Sequence, residues 1–169
     1  MSGGLVLEVD TLDALSPVLR RLRAAASDLT EPMAKASDVM LEATHERFDE
    51  GRGPLGIPWQ KSQAAIEEGR KTLIKSGDLR RSIDSTSGKD YAAVAVDRIG
   101  DVTDYAHVHQ WGATIRPRKK KALRTPYGPR GSVTIPARPY LGFSDDEIMA
   151  IDRILVRHLL SAMNGGAAA

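Results

Sequence analysis

The chain has 169 residues, a length typical of one domain, with 41% hydrophobic and 27% charged residues, an ordinary globular composition. It contains no cysteine, which excludes disulfide scaffolds, thiol catalysis and cysteine-ligated metal centres and fits a reducing compartment. No apolar run approaches the roughly 20 residues of a membrane helix, and residues 1–10 lack signal-peptide features. We therefore expect a soluble, intracellular protein.

The first third of the chain predicts a short strand and then a long helix. The run Leu5–Val9 is typical of a strand. Apolar residues then recur at alternating spacings of three and four, which predicts a helix with one buried stripe: Leu12, Leu15, Leu19, Leu22, Ala26 and Leu29. Ser16-Pro17 marks either the true start of this helix or a kink after a short leading turn. We expect residues 11–49 to form one long helix, broken or bent near Pro32.

The middle of the chain predicts a loop, a short helix and a hairpin. Residues 51–58 are rich in Gly and Pro and should form a loop, and residues 62–71 are compatible with a helix. Residues 82–87 and 91–97 read as two strands around the turn at 87–90. Ala92, Val94 and Val96 alternate as in a half-buried strand.

A basic segment stands out beyond this hairpin. It holds seven cations and no acid: Arg116, Arg118, Lys119, Lys120, Lys121, Arg124 and Arg130. The other 17 basic residues face 22 acidic ones, so the rest of the chain carries a net charge of −5. Strands predicted at 113–116 and 132–135 would make residues 117–131 a long hairpin arm, here called the basic arm. It could contact nucleic-acid phosphates, dock on an acidic protein surface or remain a solvated loop.

The last predicted element is a helix after Ser144, which forms a capping box with Glu147. Its expected buried stripe is Ile148, Ile151, Leu155, Leu159 and Ala162, and Asn164-Gly165 should end it. Residues 165–169 read as a flexible tail. The order of elements predicts a single α+β domain over residues 1–169. In it, a long N-terminal helical segment and a C-terminal helix pack on a small antiparallel sheet, and a long basic hairpin arm is present.

Candidate chemical sites are few. His107 and His109 would point to one face if their segment were a strand, and could then chelate iron or zinc; the alternative is that one histidine is packed beside Tyr105 and Trp111. The acids at 145–147 fit helix capping better than catalysis. No phosphate loop or nucleophile elbow is present in the sequence. We therefore expect no catalytic residues, no metal and no cofactor.

The two tryptophans are expected to anchor structure or contacts. Trp59 follows the Gly/Pro loop, and Trp111 precedes Gly112 in a polar stretch. Large aromatic residues in such contexts either fill the core or form the centre of an interface. The core role is slightly favoured for both.

Four short motifs then occur in a distinctive order. They are Gly56-Ile57-Pro58-Trp59; Leu73-Ile74-Lys75-Ser76-Gly77-Asp78-Leu79 running into Ser82-Ile83; Tyr105-Ala106 with His109-Gln110-Trp111-Gly112; and Ile135-Pro136-Ala137-Arg138-Pro139-Tyr140-Leu141-Gly142. Together they resemble the phage virion morphogenesis family, the Mu-type gpG and tail-completion proteins of long-tailed phages and prophages. The resemblance covers roughly residues 10–160, and Gln60-Lys61-Ser62 departs from the expected proline-leucine-serine type segment.

The resemblance implies a virion structural protein with no catalytic residues, which assembles as a ring at the neck or tail end and helps join the tail to the head. Its expected partners are copies of itself, in a ring expected to be hexameric, and neighbouring neck, tail-terminator or head-completion proteins. Non-specific contact with phage DNA is a further expectation, and no membrane contact is expected. The protein would lie in the host cytoplasm during assembly and then in the virion.

The resemblance also gives the motif residues a structural role: Trp59, Gly77, Leu79, Tyr105, His109, Gln110, Trp111, Gly112, Arg138 and Pro139. The interface candidates are the 51–58 loop and the basic arm, whose cations would face DNA or an adjacent protein. Two other classes remain open: a metal-dependent oxygenase or hydrolase using His107 and His109, and a DNA-binding protein using the arm.

Overall fold

The computed structural model describes residues 12–97, 102–118 and 121–165. Its helices are α1 (Leu12–Ser27), α2 (Thr30–Glu50), α3 (Gln63–Glu67), α4 (Asp78–Arg81), α5 (Val102–Trp111) and α6 (Asp145–Met163). Its strands are β1 (Ile83–Ser87), β2 (Ala92–Val96), β3 (Ala113–Ile115), β4 (Leu123–Thr125), β5 (Gly128–Arg130) and β6 (Val133–Ile135). The predicted α+β class is confirmed. The predicted strand at Leu5–Val9, together with Lys119 and Lys120, lies outside the described residues.

The predicted helix over residues 11–49 is broken into two helices close to Pro32, as one of the two alternatives held, and is not merely bent. The break lies at residues 28 and 29, where the Asp28 carboxylate accepts hydrogen bonds from the backbone N–H and hydroxyl of Thr30, at 3.1 and 2.6 Å. Pro32 sits in the first turn of α2, where its missing N–H costs nothing. α1 begins at Leu12 and runs through Pro17, so a helix start at Ser16 is wrong.

The central sheet is the hairpin of β1 and β2, paired antiparallel from Ile83↔Val96 to Ser87↔Ala92. Both strands pack against α2. The hydrophobic core joins α2 to this hairpin and to the segment before α6; its buried members are Phe48, Trp59, Leu79, Ile83, Ala106 and Tyr140. The Phe48 ring lies 5.5 Å from the Trp59 ring, edge to face, and 5.4 Å from the Tyr140 ring.

The C-terminal helix α6 begins with the predicted capping box, since the Ser144 side chain accepts from the Glu147 N–H and the Glu147 side chain accepts from the Ser144 N–H. It packs mainly against α1 and α2, whereas α2 is the helix that lies on the sheet. Arg21 of α1 donates two hydrogen bonds, both 3.1 Å long, to the carbonyl groups of Ala162 and Met163. None of the described helices is both long and apolar enough to cross a membrane.

The expected buried stripes on these outer helices are only partly correct. Leu15 and Leu19 of α1 are 57% and 60% exposed, and Ile148 of α6 is 47% exposed. The α6 residues Ile151, Leu155, Leu159 and Ala162 are half-buried. The helical period was therefore predicted correctly, but α1 contacts too little of the domain to bury its stripe.

The predicted basic arm is present. β3 and β6 pair antiparallel at its base, from Ala113↔Ile135 to Ile115↔Val133. β4 and β5 also pair antiparallel, nearer the tip. The Tyr127 hydroxyl donates a 2.9 Å hydrogen bond to Glu67 of α3, which ties the tip to the body. The predicted helix over 62–71 is restricted to α3.

Candidate assembly surfaces and motif cavity

The motif residues converge on one segment, residues 136–141, although they are far apart in the sequence. The Trp59 indole donates a 3.0 Å hydrogen bond to the Pro139 carbonyl. The Gln110 side chain accepts from the N–H groups of Tyr140 and Leu141, at 3.0 and 3.1 Å, and donates to the Leu141 carbonyl at 2.9 Å. Gln110 thus supplies partners that a sheet would otherwise provide, and it holds an irregular segment in a fixed shape.

Gly112 lets the same segment approach α5. Its φ is +74°, and a Cβ there would lie 2.8 Å from the Ala137 nitrogen, so a side chain would strain the backbone and force the segment away. Trp59, Gln110, Gly112 and Pro139, for which we expected a structural role, are all part of these contacts.

Five other motif residues line a cavity of about 400 Å³, here called the motif cavity: Gly77, Leu79, Tyr105, His109 and Arg138. Leu73 also lines it with a φ of +66°, the positive-φ region that glycine favours. A bulky side chain held in this conformation is a mark of local strain, which tends to gather at functional sites.

Arg138 is the principal charge of the motif cavity, and it is only 4% exposed. Its Nε donates a 2.8 Å hydrogen bond to the Gln60 carbonyl, and its backbone N–H donates to the His109 carbonyl at 2.7 Å. Among the described residues no carboxylate pairs with its guanidinium. Burial lowers the pKa of Arg138. A nearly buried cation without a counter-charge is unusual, because removal from water costs several kcal/mol.

His109 lies beside Arg138, on helix α5 rather than on a strand. Successive residues of a helix turn by about 100°, so His107 and His109 point about 200° apart and not to one face. The alternating-strand basis for a metal site is therefore wrong. Within the described residues, no cluster of three or more His, Asp or Glu side chains is placed to hold a metal ion. His109 packs edge to face against Tyr105, as the packing alternative proposed.

The imidazole of His109 is poorly satisfied. Its Nδ1 atom is buried and has no hydrogen-bond partner. Burial, and secondarily the charge of Arg138, lower the pKa of His109 below its usual 6.5. The ring is therefore neutral at pH 7, although it lies next to a permanent cation.

The two tryptophans have different environments. Trp59 is 7% exposed and belongs to the core, as favoured, whereas Trp111 is 70% exposed at the end of α5, so the core role is wrong for it. Trp111 comes just before β3 and therefore stands at the base of the basic arm. Tryptophan side chains that are exposed in a single chain are often buried at the centre of an interface with another chain.

The described cations of the basic segment all lie on the surface, and none forms an ion pair with another described residue: Arg116, Arg118, Lys121, Arg124 and Arg130. Their charges are therefore available to a partner. Tyr127, the arm's single aromatic residue, is engaged with Glu67.

A second charged surface is absent from the sequence-based predictions. α2, the start of α6 and the 51–58 loop enclose a groove of about 730 Å³, here called the acidic groove. Six carboxylates line it: Glu42, Glu46, Glu50, Asp145, Asp146 and Glu147. Arg52 pairs with Glu50 and Arg47 with Glu147, which leaves four carboxylates without an ion pair among the described residues.

The floor of the acidic groove is a buried ion pair. Arg47 and Glu147 are each 5% exposed, and the guanidinium donates both to the Glu147 carboxylate and, at 2.9 Å, to the Tyr140 carbonyl. Glu147 Oε2 also accepts from the Ser144 hydroxyl at 2.6 Å, whereas its Oε1 is buried without a partner. The capping role expected for residue 147 is present, and the same side chain fixes α6 to α2.

A sequence signal for the groove does exist. Glu42, Glu46 and Glu50 recur every four residues, which places them on one helix face. Glu147, by contrast, lies 100 residues from Arg47 and can be connected with it only by the fold.

Comparison with known proteins identifies the family of the chain. The sequence profile of the phage virion morphogenesis family matches residues 10–160, so this chain belongs to that family. It is also similar to the "Putative capsid assembly protein G" of Escherichia phage Mu, with 31% identity over 144 residues, which cover 78% of this chain and 74% of the relative. No solved structure matches. The chain therefore has a structural or assembly role in phage, in a family not known for enzymes.

Proposed function

We propose that this chain is a structural subunit of the phage neck or tail-completion region, that it assembles as a ring, and that this ring helps join tail to head. The proposal includes no catalytic step. One observation carries the ring: a single chain bears two unpaired charged surfaces of opposite sign, the basic arm and the acidic groove. In a ring, each subunit presents one patch to a different patch of its neighbour, so the two patches must be complementary. Surfaces of opposite charge on one chain meet this requirement.

The two surfaces fit each other in chemistry. The arm offers five described, exposed cations, and the groove offers four carboxylates without ion pairs. The apolar side chain of Leu55, on the 51–58 loop, lines the groove and is 80% exposed; Ile57 on the same loop is 65% exposed. A joint between the arm of one copy and the groove of the next would combine charge pairing with burial of these side chains. Both segments expected to form interfaces then belong to one joint.

DNA contact by the arm is the competing role. The proposal favours a protein partner, because the arm has no free aromatic residue for stacking and an acidic surface is present on the same chain. Neutralising Lys119, Lys120 and Lys121 together should impair head–tail joining. Normal joining with DNA loss would indicate a DNA-facing arm, and normal joining with normal DNA retention would reject both roles.

Charge exchange between two variants tests the joint directly. One variant carries Arg124→Glu and Arg130→Glu in the arm, and the other carries Glu42→Lys and Glu46→Lys in the groove. Each alone should remain monomeric in native mass spectrometry at low salt, whereas an equimolar mixture should form rings in which the two variants alternate. A chain with all four substitutions should assemble alone.

The matched control is Arg20→Glu with Arg23→Glu, which makes the same charge change at exposed positions of α1. It should assemble like the wild type. A wild-type chain that stays monomeric, an arm variant that assembles normally, or a mixture that stays monomeric would contradict the proposed joint. Added salt should weaken wild-type assembly, since exposed charges are screened beyond about 10 Å at 0.1 M.

A further inference from the structure

The motif cavity is lined by several charged side chains that have no role in the proposed joint between arm and groove. Arg138, Lys75 and Arg70 line it, together with one carboxylate, Asp78. Arg70 is paired with Glu68, and Asp78 with Arg81. Arg138 and Lys75 form no ion pair within the described part of the chain. The cavity therefore has an excess of positive charge, one centre of which is almost completely buried.

The hydrogen bonding of the cavity is also incomplete. The Nε of Arg138 has a partner, but its Nη1 and Nη2 groups, which form the fork that grips carboxylates, make no hydrogen bond to any described residue. The buried Nδ1 of His109 has none either. The Arg138 fork is thus left without a protein partner at the cavity, and an acceptor of two hydrogen bonds would satisfy it.

We propose that the motif cavity is a receptor for one carboxylate, presented by an acidic side chain of a neighbouring protein. A carboxylate supplies the missing charge and two acceptor oxygens, and its planar shape matches the guanidinium fork. Leu73 at the wall adopts a positive φ that is strained for a bulky residue, so the cavity has a shape that is maintained against a conformational cost. This inference does not depend on the ring.

A single negative charge fits the cavity better than a phosphate dianion. Asp78 lines the same space, and Glu68 lies beside Arg70, so a second negative charge on the ligand would meet like charges. The same carboxylates disfavour a nucleic-acid backbone, which brings a series of phosphates. The cavity therefore selects a partner that presents a single carboxylate.

Acetate is the probe for this site. Titration of the full chain with sodium acetate, followed by amide and imidazole NMR signals, should give saturable shifts around His109, Leu73 and Ser76. Sodium chloride at equal ionic strength should not produce them. Occupation should also raise the pKa of His109, because an anion beside the ring favours the imidazolium while Asp78 and Arg138 keep their charges.

Two variants keep the test decisive. Arg138→Lys removes the fork and should weaken acetate binding at least tenfold; Lys75→Gln changes an exposed side chain, leaves the fold intact and should weaken it about threefold. Arg130→Gln on the arm is the matched control and should bind acetate as the wild type does. Equal shifts in acetate and chloride, unchanged binding in Lys75→Gln and Arg138→Lys, or tighter binding of inorganic phosphate than of acetate would overturn the proposal.

Discussion

The side chains at the centre of this molecule and those at its periphery differ in how many of their hydrogen bonds, ion pairs and apolar contacts are formed within the chain. Around residues 136–141, Trp59 and Gln110 make the hydrogen bonds that their groups require, and the aromatic core is closed. On the arm and in the acidic groove, five cations and four carboxylates form no ion pair with a described residue, and along α1 large apolar side chains are exposed. The difference indicates that the centre maintains the fold, whereas the periphery is built for contacts with other chains.

The largest effect should come from opening the core. Phe48→Ala removes the ring that contacts both Trp59 and Tyr140, so we expect the free energy of unfolding to fall by about 3–5 kcal/mol. Urea denaturation measures the loss. Phe143→Ala is the matched control, since Phe143 is 50% exposed and should change stability by less than about 0.5 kcal/mol. Equal losses would contradict the distinction between centre and periphery.

Next in size is the loss of the Gln110 hydrogen bonds. Gln110→Ala leaves two N–H groups and one carbonyl without partners, and should cost about 2–4 kcal/mol. Thermal unfolding measures this, with Gln60→Ala as control, because the Gln60 side chain is exposed and makes no described hydrogen bond. If both variants unfold at the same temperature, the proposal that Gln110 stabilises residues 136–141 is wrong.

Reversing the peripheral charges should have almost no effect on stability. Arg124→Glu with Arg130→Glu alters exposed side chains that have no ion pair among the described residues, so the free energy of unfolding should change by less than about 1 kcal/mol. The same variant should lose assembly, which sharpens the comparison. A large loss of stability would instead assign the arm to the fold.

The smallest expected effect is a pH dependence of the free energy of unfolding that comes from His109 in the motif cavity. Because the pKa of His109 is lowered in the folded state, the unfolded chain binds the proton first as the pH falls. The corresponding stability is complete above about pH 6.5 and is lost as the pH falls through the folded pKa. His109→Gln should therefore reduce the slope of stability against pH below 6.5, and an unchanged slope in urea denaturation would contradict the lowered pKa of His109.

The same division explains what the sequence could predict. The capping box at Ser144, the hairpin of β1 and β2, and the arm all follow from local patterns, and the structure confirms them. α5 was missed because two alternating histidines resemble a strand. The signal for a helix was the spacing of four between Ala106 and Gln110, both of which are buried in the structure.

Contacts between residues that are distant in the sequence could not be predicted from it. The Arg47–Glu147 pair and the contact of Arg138 with His109 join distant parts of the chain, and no local pattern specifies them. The exposure of Leu15 and Leu19 was missed for a related reason, since periodicity identifies a helix face without saying what covers it. The family resemblance named the motif residues, but the grouping of five of them around one cavity could be seen only in the fold.

Cryo-electron microscopy of assembled particles, with this chain traced, tests the central claim most directly. The account predicts a ring near the head–tail junction in which Arg124 and Arg130 of each copy lie within hydrogen-bond distance of Glu42 and Glu46 of the next copy. Absence of the chain from particles, or an arm that contacts only DNA while the groove faces solvent, would contradict it.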